Sequence, residues 1–375
     1  MKPAPAVAAG ERFFTAEAQR IARLCHAMSE RFARGGRLIA VGCTPQARSD
    51  ARHVAVEFVH PVIVGKRALP ALAITHEPEQ LAWLAEPDDM VMAFDDSCGW
   101  ATDDLRPAYL TIGYEAGGAE WEFNPGCEDP FVAQELIETH YHLLWELVHV
   151  FFEHRGRQGG AAQDGGAAAW LYPMLGERAR DPETVVSDVA ASVLMKADEI
   201  AALRAQTLAD NEDVLVAAAA AVRESFAGGG RLLTFGNGGS CTDAMDAYAD
   251  TSFPPAVKGL ASHPALDLSD DAPILTAIAN DIGVGNLFSR QVIAHGRAQD
   301  IVISFSTSGN SENVLEALTE ARRRGIATVA LVGYDGGKIA EQGLADHVII
   351  TRSQHIPRIQ EAQASAWHAL RELVG

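Results

Sequence analysis

The chain is poor in positive charge. Its 30 Lys and Arg stand against 50 Asp and Glu, a formal net charge of −20 over 375 residues. That balance excludes the basic patch by which nucleic-acid binders neutralise phosphates, so no nucleic-acid partner is expected. It does not exclude a small anion, which local donors decide. Long apolar runs are missing too. Nothing approaches the ~18 residues of a membrane helix, and the longest stretch, Val214 to Val222, is short and rich in alanine. The opening Met-Lys-Pro-Ala-Pro leads into no apolar core of a secretory leader. Cysteines number five (Cys25, Cys43, Cys98, Cys127 and Cys241), an odd count without a Cys-x-x-Cys pair. They read as reduced thiols in a cytoplasmic protein with no membrane partner. At 48% hydrophobic and 21% charged, the composition is that of a globular protein with ample core, and the length suggests two domains.

The most informative stretch is Arg231-Leu-Leu-Thr-Phe-Gly-Asn-Gly-Gly-Ser240. An apolar run of strand character ends at Gly236, the small residues Asn237, Gly238, Gly239 and Ser240 follow, and a helix is expected from Thr242 to Thr251. Strand, glycine loop and helix N-terminus make an anion site, because free N–H groups and the helix dipole both favour negative charge. An ordinary tight turn would use the same glycines. The loop has neither the Rossmann spacing nor a Walker lysine, and no nucleotide cofactor is expected. A second loop points the same way. The strand Asp300–Phe305 runs into Ser306-Thr-Ser-Gly-Asn-Ser311, four hydroxyls in six residues ahead of a helix. Hydroxyls donate to phosphate oxygens without adding fixed charge, and ligands in open α/β sheets sit at the carboxyl ends of strands. Together the loops suggest a phosphorylated small molecule.

Elsewhere the periodicity predicts helices near 13–34, 47–58, 130–152, 183–208, 212–226, 273–279, 284–294, 311–324 and 357–374. Strands are expected near 37–41, 71–74, 89–94, 109–113, 265–268, 327–333 and 346–350. This alternation is of the α/β class, with a largely parallel sheet flanked by helices. Residues 155–182 have the Gly/Ala composition of a linker, closed by an Asp181-Pro182-Glu183 helix start. They separate a domain over 1–154 from one over 183–375. The halves look like a repeat. Gly35-Gly-Arg-Leu-Ile-Ala-Val-Gly42 parallels Gly229-Gly-Arg-Leu-Leu-Thr-Phe-Gly236, and Gln134-Glu135 with His142 matches Gln360-Glu361 with His368 at one constant offset.

On these residues the second half resembles the sugar isomerase (SIS) domain, and within it the phosphoheptose (sedoheptulose 7-phosphate) isomerases. The matching pieces are Gly236-Asn-Gly-Gly-Ser-Cys-Thr-Asp-Ala-Met245, Ala279-Asn280-Asp281, Phe288-Ser-Arg-Gln291, Ser306-Thr-Ser-Gly-Asn-Ser311 and Arg358-Ile-Gln-Glu361 with His368. The first half looks like a diverged copy. The resemblance implies two tandem SIS-type domains, each a mostly parallel sheet in a flavodoxin-like three-layer sandwich, and a homodimer that amounts to a pseudo-tetramer of such domains. It implies a phosphorylated sugar held by Asn237, Gly238, Gly239, Ser240, Ser306, Thr307, Ser308 and Ser311, with Asn280, Asp281 and Gln360 near the sugar. The family also carries a His-x3-Glu pair on the helix after the first loop and a Gln and a His on the last helix. These four can bind zinc, and the Glu and the second His are its acid–base pair.

The sequence departs from that pattern in complementary ways. In the second half the His-x3-Glu positions hold Asp246 and Asp250, while Gln360 and His368 are present. Asp250 is then the candidate base and His368 the acid, and Asp246, Asp250, Gln360 and His368 the candidate metal ligands. Asp246 and Asp250 also fit a solvated acidic face. The first half keeps His53 and Glu57, with Gln134 and His142, as a second candidate metal set. His53 and Glu57 at i, i+4 share one helix face, which suits two ligands of one ion and equally an ordinary surface pair. Its phosphate loops are replaced by Gly42-Cys-Thr-Pro-Gln46 and Phe94-Asp95-Asp96-Ser-Cys-Gly99, whose carboxylates would repel phosphate. The reading that follows is an aldose–ketose isomerase of a sugar phosphate such as sedoheptulose 7-phosphate, working through an enediolate. The alternatives are a sugar-phosphate-binding sensor or accessory protein without turnover, and a scaffold whose first half serves as an interface.

Overall fold

The computed structural model describes residues 4–62, 66–95, 109–114, 117–158 and 182–375. Most of the expected linker, the Asp181 cap and residues 96–99 of the first half's second loop lie outside these. The chain divides into two compact units. One comprises Ala6–Gly126 and Leu136–Glu199, the other Cys127–Glu135 and Ile200–Gly375.

The first of these units carries α1 (Ala4–Ala33), β1 (Leu38–Val41), α2 (Pro45–Val59), β2 (Ala71–Ile74), the short α3 (Leu81–Leu84), β3 (Met90–Ala93), β4 (Leu110–Tyr114) and β5 (Trp121–Phe123). It also takes most of α4 (Pro130–Gln158) and the start of α5 (Pro182–Asp210). Its sheet is wholly parallel, in the order β2-β1-β3-β4-β5.

The other unit carries the rest of α5, then α6 (Glu212–Ala227), β6 (Leu232–Phe235), α7 (Gly239–Ser252), β7 (Ala265–Asp267), α8 (Ala272–Ile282), α9 (Ser289–His295), β8 (Ile301–Ser306), α10 (Glu312–Arg323), β9 (Ala327–Gly333), the single-turn α11 (Gly337–Glu341), β10 (His347–Thr351) and α12 (Ile356–Val374). Its sheet is also parallel, in the order β10-β9-β8-β6-β7. Counted from each unit's first strand, both orders are 2-1-3-4-5. Alternate residues of β8 serve opposite cores, as the two-residue strand period requires. Ile301, Ile303 and Phe305 pack with Leu215 and Val222 of α6 and Trp367 and Leu370 of α12. Val302 packs with Val292 of α9 and Val314 and Leu318 of α10.

The sequence repeat has a physical counterpart in each unit's first strand. The Arg37 N–H donates to Asp89 Oδ1 at 2.7 Å, and the Arg231 N–H to Asp300 Oδ1 at 2.9 Å. In both units the glycine after that strand is required by the next helix. A Cβ on Gly42 would lie 2.0 Å from the Ala47 carbonyl, and one on Gly236 2.0 Å from that of Ser240.

Several local features differ from expectation, among them an α1 that begins at Ala4 and the unexpected short α3. The helix expected from Thr242 begins at Gly239, because residues of a first turn have no intrahelical N–H partner to lose and glycine is tolerated there. The helix expected over 284–294 is a 3₁₀ turn, Val284–Asn286, followed by α9; Gly283, at φ +96°, precedes it. Strand β5, three residues long, and the five-residue α11 were too short for periodicity to show. The reading of five reduced thiols also fails: Cys25, Cys127 and Cys241 are thiols outside any disulfide, but Cys43 is disulfide-bonded. No helix among the described residues is long and apolar enough to cross a membrane.

Candidate functional site

In a 2-1-3-4-5 sheet the chain leaves strands 1 and 3 in opposite directions, and the crevice at their carboxyl ends is open to a ligand. In the second unit these strands are β6 and β8, neighbours in register from Leu232–Ile301 to Phe235–Ser304. The glycine loop follows one and the hydroxyl loop the other. A reciprocal amide pair ties them together: Asn237 Nδ2 donates to Asn313 Oδ1 at 2.9 Å, and Asn313 Nδ2 to Asn237 Oδ1 at 2.8 Å. Gly238, at φ +59°, turns the chain into α7, whose first-turn N–H groups carry the positive end of the helix dipole.

The hydroxyl loop is set up to donate. Ser306 Oγ accepts from the Gly309 N–H at 3.1 Å, and Ser308 Oγ from the Asn310 N–H at 3.2 Å. Each hydroxyl therefore has its acceptor side occupied and its proton left for a ligand oxygen. Gly309 permits this turn: its φ is +62° and a Cβ would lie 2.3 Å from the Gly336 carbonyl. Against the loop lies an open cavity of about 650 Å³ lined by Ser308, Asn310, Tyr334, Asp335, Arg352, Ser353 and Gln354, one acidic and one basic side chain among them. Tyr334 is held at φ +53°, rare for a residue with a side chain.

The acid–base candidates lie deeper. Asp250, on α7, is fully buried and His368, on α12, nearly so. His368 Nε2 is 3.6 Å from Asp250 Oδ2, which also accepts from Trp367 Nε1 at 2.9 Å. The other edge of the imidazole meets Glu135: Nδ1 and Oε1 are 2.8 Å apart. Glu135 belongs to Cys127–Glu135, the segment of α4 and its approach that is part of this unit. Asp129 pairs with Lys258 at 2.9 Å. Phe131 stacks on His368, centroids 4.3 Å apart and planes within 3°, with Lys258 Nζ 4.7 Å from the Phe131 centroid. Burial alone would raise the Glu135 carboxyl. The bond to His368, the Arg204 charge and the Ser365 hydroxyl outweigh it and hold the group below the usual carboxylate range.

The first unit has the opposite equipment. Cys43 N–H, Thr44 N–H and Thr44 Oγ1 all meet Asp95 Oδ2 at 3.1 Å. A carboxylate of the chain itself thus occupies the donors at the start of α2, where its repeat holds an open loop. Below it, His53, Glu57 and His142 are buried, with one ligand atom from each within 4.8 Å of the others. His53 Nε2 is 3.2 Å from His142 Nε2 and 3.9 Å from Glu57 Oε1. The Tyr141 hydroxyl donates to Asp50 Oδ1 at 3.4 Å and lies 3.0 Å from His53 Nδ1. The phenol thus sits between the Asp50 carboxylate and the Nδ1 edge of His53, whose Nε2 edge faces His142. Burial, then the neighbouring His142, pushes His53 well below its ordinary value. Burial pushes Glu57 up to about 7, against His142, which lowers it, and with Glu146, which raises it. Two imidazoles and a carboxylate at this spacing match the about 2.0–2.2 Å ligand shell of a zinc-type ion.

Comparisons with known proteins show the family. The SIS domain model matches residues 197–333. A phosphoheptose isomerase of Rhodospirillum rubrum is 40% identical over 167 residues, 44% of this chain and 87% of that protein. One of Geobacter sp. is 44% identical over 155 residues, 41% of this chain and 78% of that protein. The chain belongs to the SIS-domain family of the phosphoheptose isomerases. Among solved structures, the C-terminal domain of glucosamine-fructose-6-phosphate aminotransferase from Francisella tularensis covers 99% of this SIS protein, and 93% of its own length, with a TM-score of 0.61 at 10% identity, a likeness of fold.

Within this SIS protein the sequence-based candidates are distributed as follows. Ser240 lies in the first turn of α7, Ser306 ends β8, and Thr307, Ser308 and Ser311 sit on the hydroxyl loop, while Asn237 has its amide engaged by Asn313. Asn280 and Asp281 are exposed on α8, Asn280 Nδ2 donating to Asp281 Oδ1 at 2.8 Å. Gln360 is buried on α12, two turns before His368. Asp250 and His368 come together. Asp246, half-buried, does not join them in a close three-ligand group among the described residues. Gln134 is half-buried in the Cys127–Glu135 segment. Sequence reasoning missed Glu135, Asn313, Tyr334 and Arg352. Only Glu135 had a signal, as the repeat partner of Glu361.

Proposed function

We propose that this protein is an aldose–ketose isomerase of a phosphorylated sugar, with a sedoheptulose 7-phosphate-like chain as substrate. One observation carries the reading: two donor loops flank the β6/β8 switch point and are locked to each other by Asn237 and Asn313. The names of the phosphoheptose isomerases it resembles support the same substrate class. The loops hold the phosphate through the first turn of α7 and the hydroxyls of Ser306, Ser308 and Ser311. Arg352 and Tyr334 line the adjoining cavity, where hydroxyls of the sugar are received. That remote binding orients the carbons that react. Asp250 takes the proton from the hydroxyl-bearing carbon beside the carbonyl while His368 Nε2 gives one to the carbonyl oxygen; Nε2 then takes the proton of the neighbouring hydroxyl, which becomes the new carbonyl, and Asp250 returns its proton to the former carbonyl carbon.

His53, Glu57 and His142 are proposed to hold a divalent ion, zinc by the donor set. Such an ion supplies a fixed positive charge and a Lewis acid when bound. Self-association as a homodimer is proposed as well; Ile274 and Ile282 of α8 and Val284 beside it are exposed. Isomerisation in D₂O tests the central reading. Deuterium entering the sugar at C1 or C2 is the expected result of an enediolate, and a sugar that binds but never exchanges carbon-bound hydrogen contradicts it.

A further inference from the structure

We infer that Glu135 is a positioning residue for His368: its carboxylate holds the imidazole by Nδ1 so that Nε2 is turned to Asp250 and the reacting oxygen. The inference rests on the proposed role of His368 as proton carrier. It names a residue that lies 233 positions from that histidine in the chain.

An imidazole can be turned about its own bonds, and either nitrogen can carry the proton, so a proton carrier must have both the ring and the tautomer fixed. Here each degree of freedom has a named restraint. The ring plane is set by Phe131, parallel within 3°. The Nδ1 edge is set by Glu135 Oε1 at 2.8 Å. An ionised carboxylate only accepts, so Nδ1 must be the donor. The carboxylate is itself held, because Ser365 Oγ donates to its Oε2 at 2.5 Å and Arg204 Nε stands 3.7 Å from that oxygen. Arg204 also donates to the Glu135 carbonyl at 2.8 Å. Both Glu135 and His368 are buried, so water does not compete for the bond. The chain Arg204/Ser365, Glu135, His368, Asp250 thus runs from a fixed cation to the candidate base.

A purely structural reading has Glu135 anchoring its segment of α4. That segment has other anchors in Asp129–Lys258 and Phe131, so the two readings separate by experiment. The full-length protein is labelled with ¹⁵N-histidine and the His368 signals are assigned by loss in His368→Gln. The expected result is a hydrogen-bonded proton on Nδ1 of His368 in the unsubstituted protein. A His368 protonated only at Nε2 overturns the inference, and this readout needs neither turnover nor a variant of Glu135.

Two variants extend the test. Glu135→Met keeps the volume and removes the bond; kcat is expected to fall about 10–100-fold, the usual effect of losing a carboxylate partner of a functional histidine, with KM within about twofold. Glu135→Gln keeps an acceptor oxygen and is expected to retain the Nδ1 proton and recover part of kcat. A folded Glu135→Met with unchanged kcat overturns the inference. If His368→Gln itself turns over normally, the acid–base assignment fails instead, which keeps the two failures apart.

Discussion

Glu135 and His368, both buried, meet at 2.8 Å although one comes from the first half of the sequence and the other from its last helix. Asp250 stands 3.6 Å from the opposite nitrogen. The imidazole is therefore the middle member of a carboxylate–histidine–carboxylate row. The ring plane is set by Phe131 and the Nδ1 edge by Glu135, both of α4, and the Nε2 edge faces Asp250 of α7.

Asp250→Asn is expected to lower kcat by about 10²–10⁴-fold, the range of a lost general base, while the Kd for the sugar phosphate stays within a few-fold. Steady-state kinetics beside calorimetric binding measures both. Unchanged kcat removes Asp250 from the chemistry.

Ser306→Ala and Ser308→Ala each delete one hydroxyl that is oriented to donate. A hydrogen bond to a charged oxygen contributes about 1.5–3 kcal/mol, so KM for the phosphorylated substrate should rise by about tenfold or more. Inhibition by orthophosphate should weaken in parallel. Loss of kcat at constant KM would place these hydroxyls at the reacting carbons and not at the phosphate.

Glu57 makes the metal-free protein sensitive to pH. Its folded-state value, about 7, lies above the ordinary 4.5 because burial disfavours the charge. The folded state therefore binds this proton more tightly than the unfolded chain. Its stabilising contribution is complete below pH ~4.5 and disappears as pH rises through about 7, by about 3 kcal/mol in all. Metal-free Glu57→Gln should then be more stable than the unsubstituted protein at pH 8 and nearly equal at pH 5. Zinc should raise the Tm of the unsubstituted protein more than that of Glu57→Gln. Equal zinc shifts in the two proteins, measured by calorimetry, would detach Glu57 from the metal.

Asp95 occupies the donors at the start of α2. Asp95→Ala strands the N–H groups of Cys43 and Thr44 and should destabilise that unit by about 1–3 kcal/mol. Added orthophosphate should restore part of the lost Tm, and should do less for the unsubstituted protein. If phosphate acts equally on both, the freed donors do not form an anion site.

Much of this was open to reading in the sequence. The buried parallel strands announce themselves as apolar runs such as Ile301–Phe305, and the two loops by composition alone, since Gly and Ser are favoured where a chain turns sharply. The constant offset between Gln134/His142 and Gln360/His368 exposed the duplication that the matching strand orders reflect. What stayed hidden is non-local. Nothing in the sequence near Glu135 says that it bonds His368 and not the histidine seven residues along its own helix. Arg352 and Tyr334 sit in loops after β10 and β9, where no periodicity operates. The occupation of the Cys43 and Thr44 donors by Asp95 depends on β1 and β3 lying side by side, which only the sheet order establishes. The helix start at Gly239 eluded propensity because propensity describes helix interiors.

The most direct test is turnover of sedoheptulose 7-phosphate by the purified full-length protein, followed by NMR of the product and repeated with Asp250→Asn. Conversion to the isomeric aldose phosphate is expected, abolished in the variant while binding persists. Tight binding of the sugar phosphate by the unsubstituted protein, with no conversion in the presence or absence of zinc, would contradict it and leave a sugar-phosphate-binding protein without catalysis.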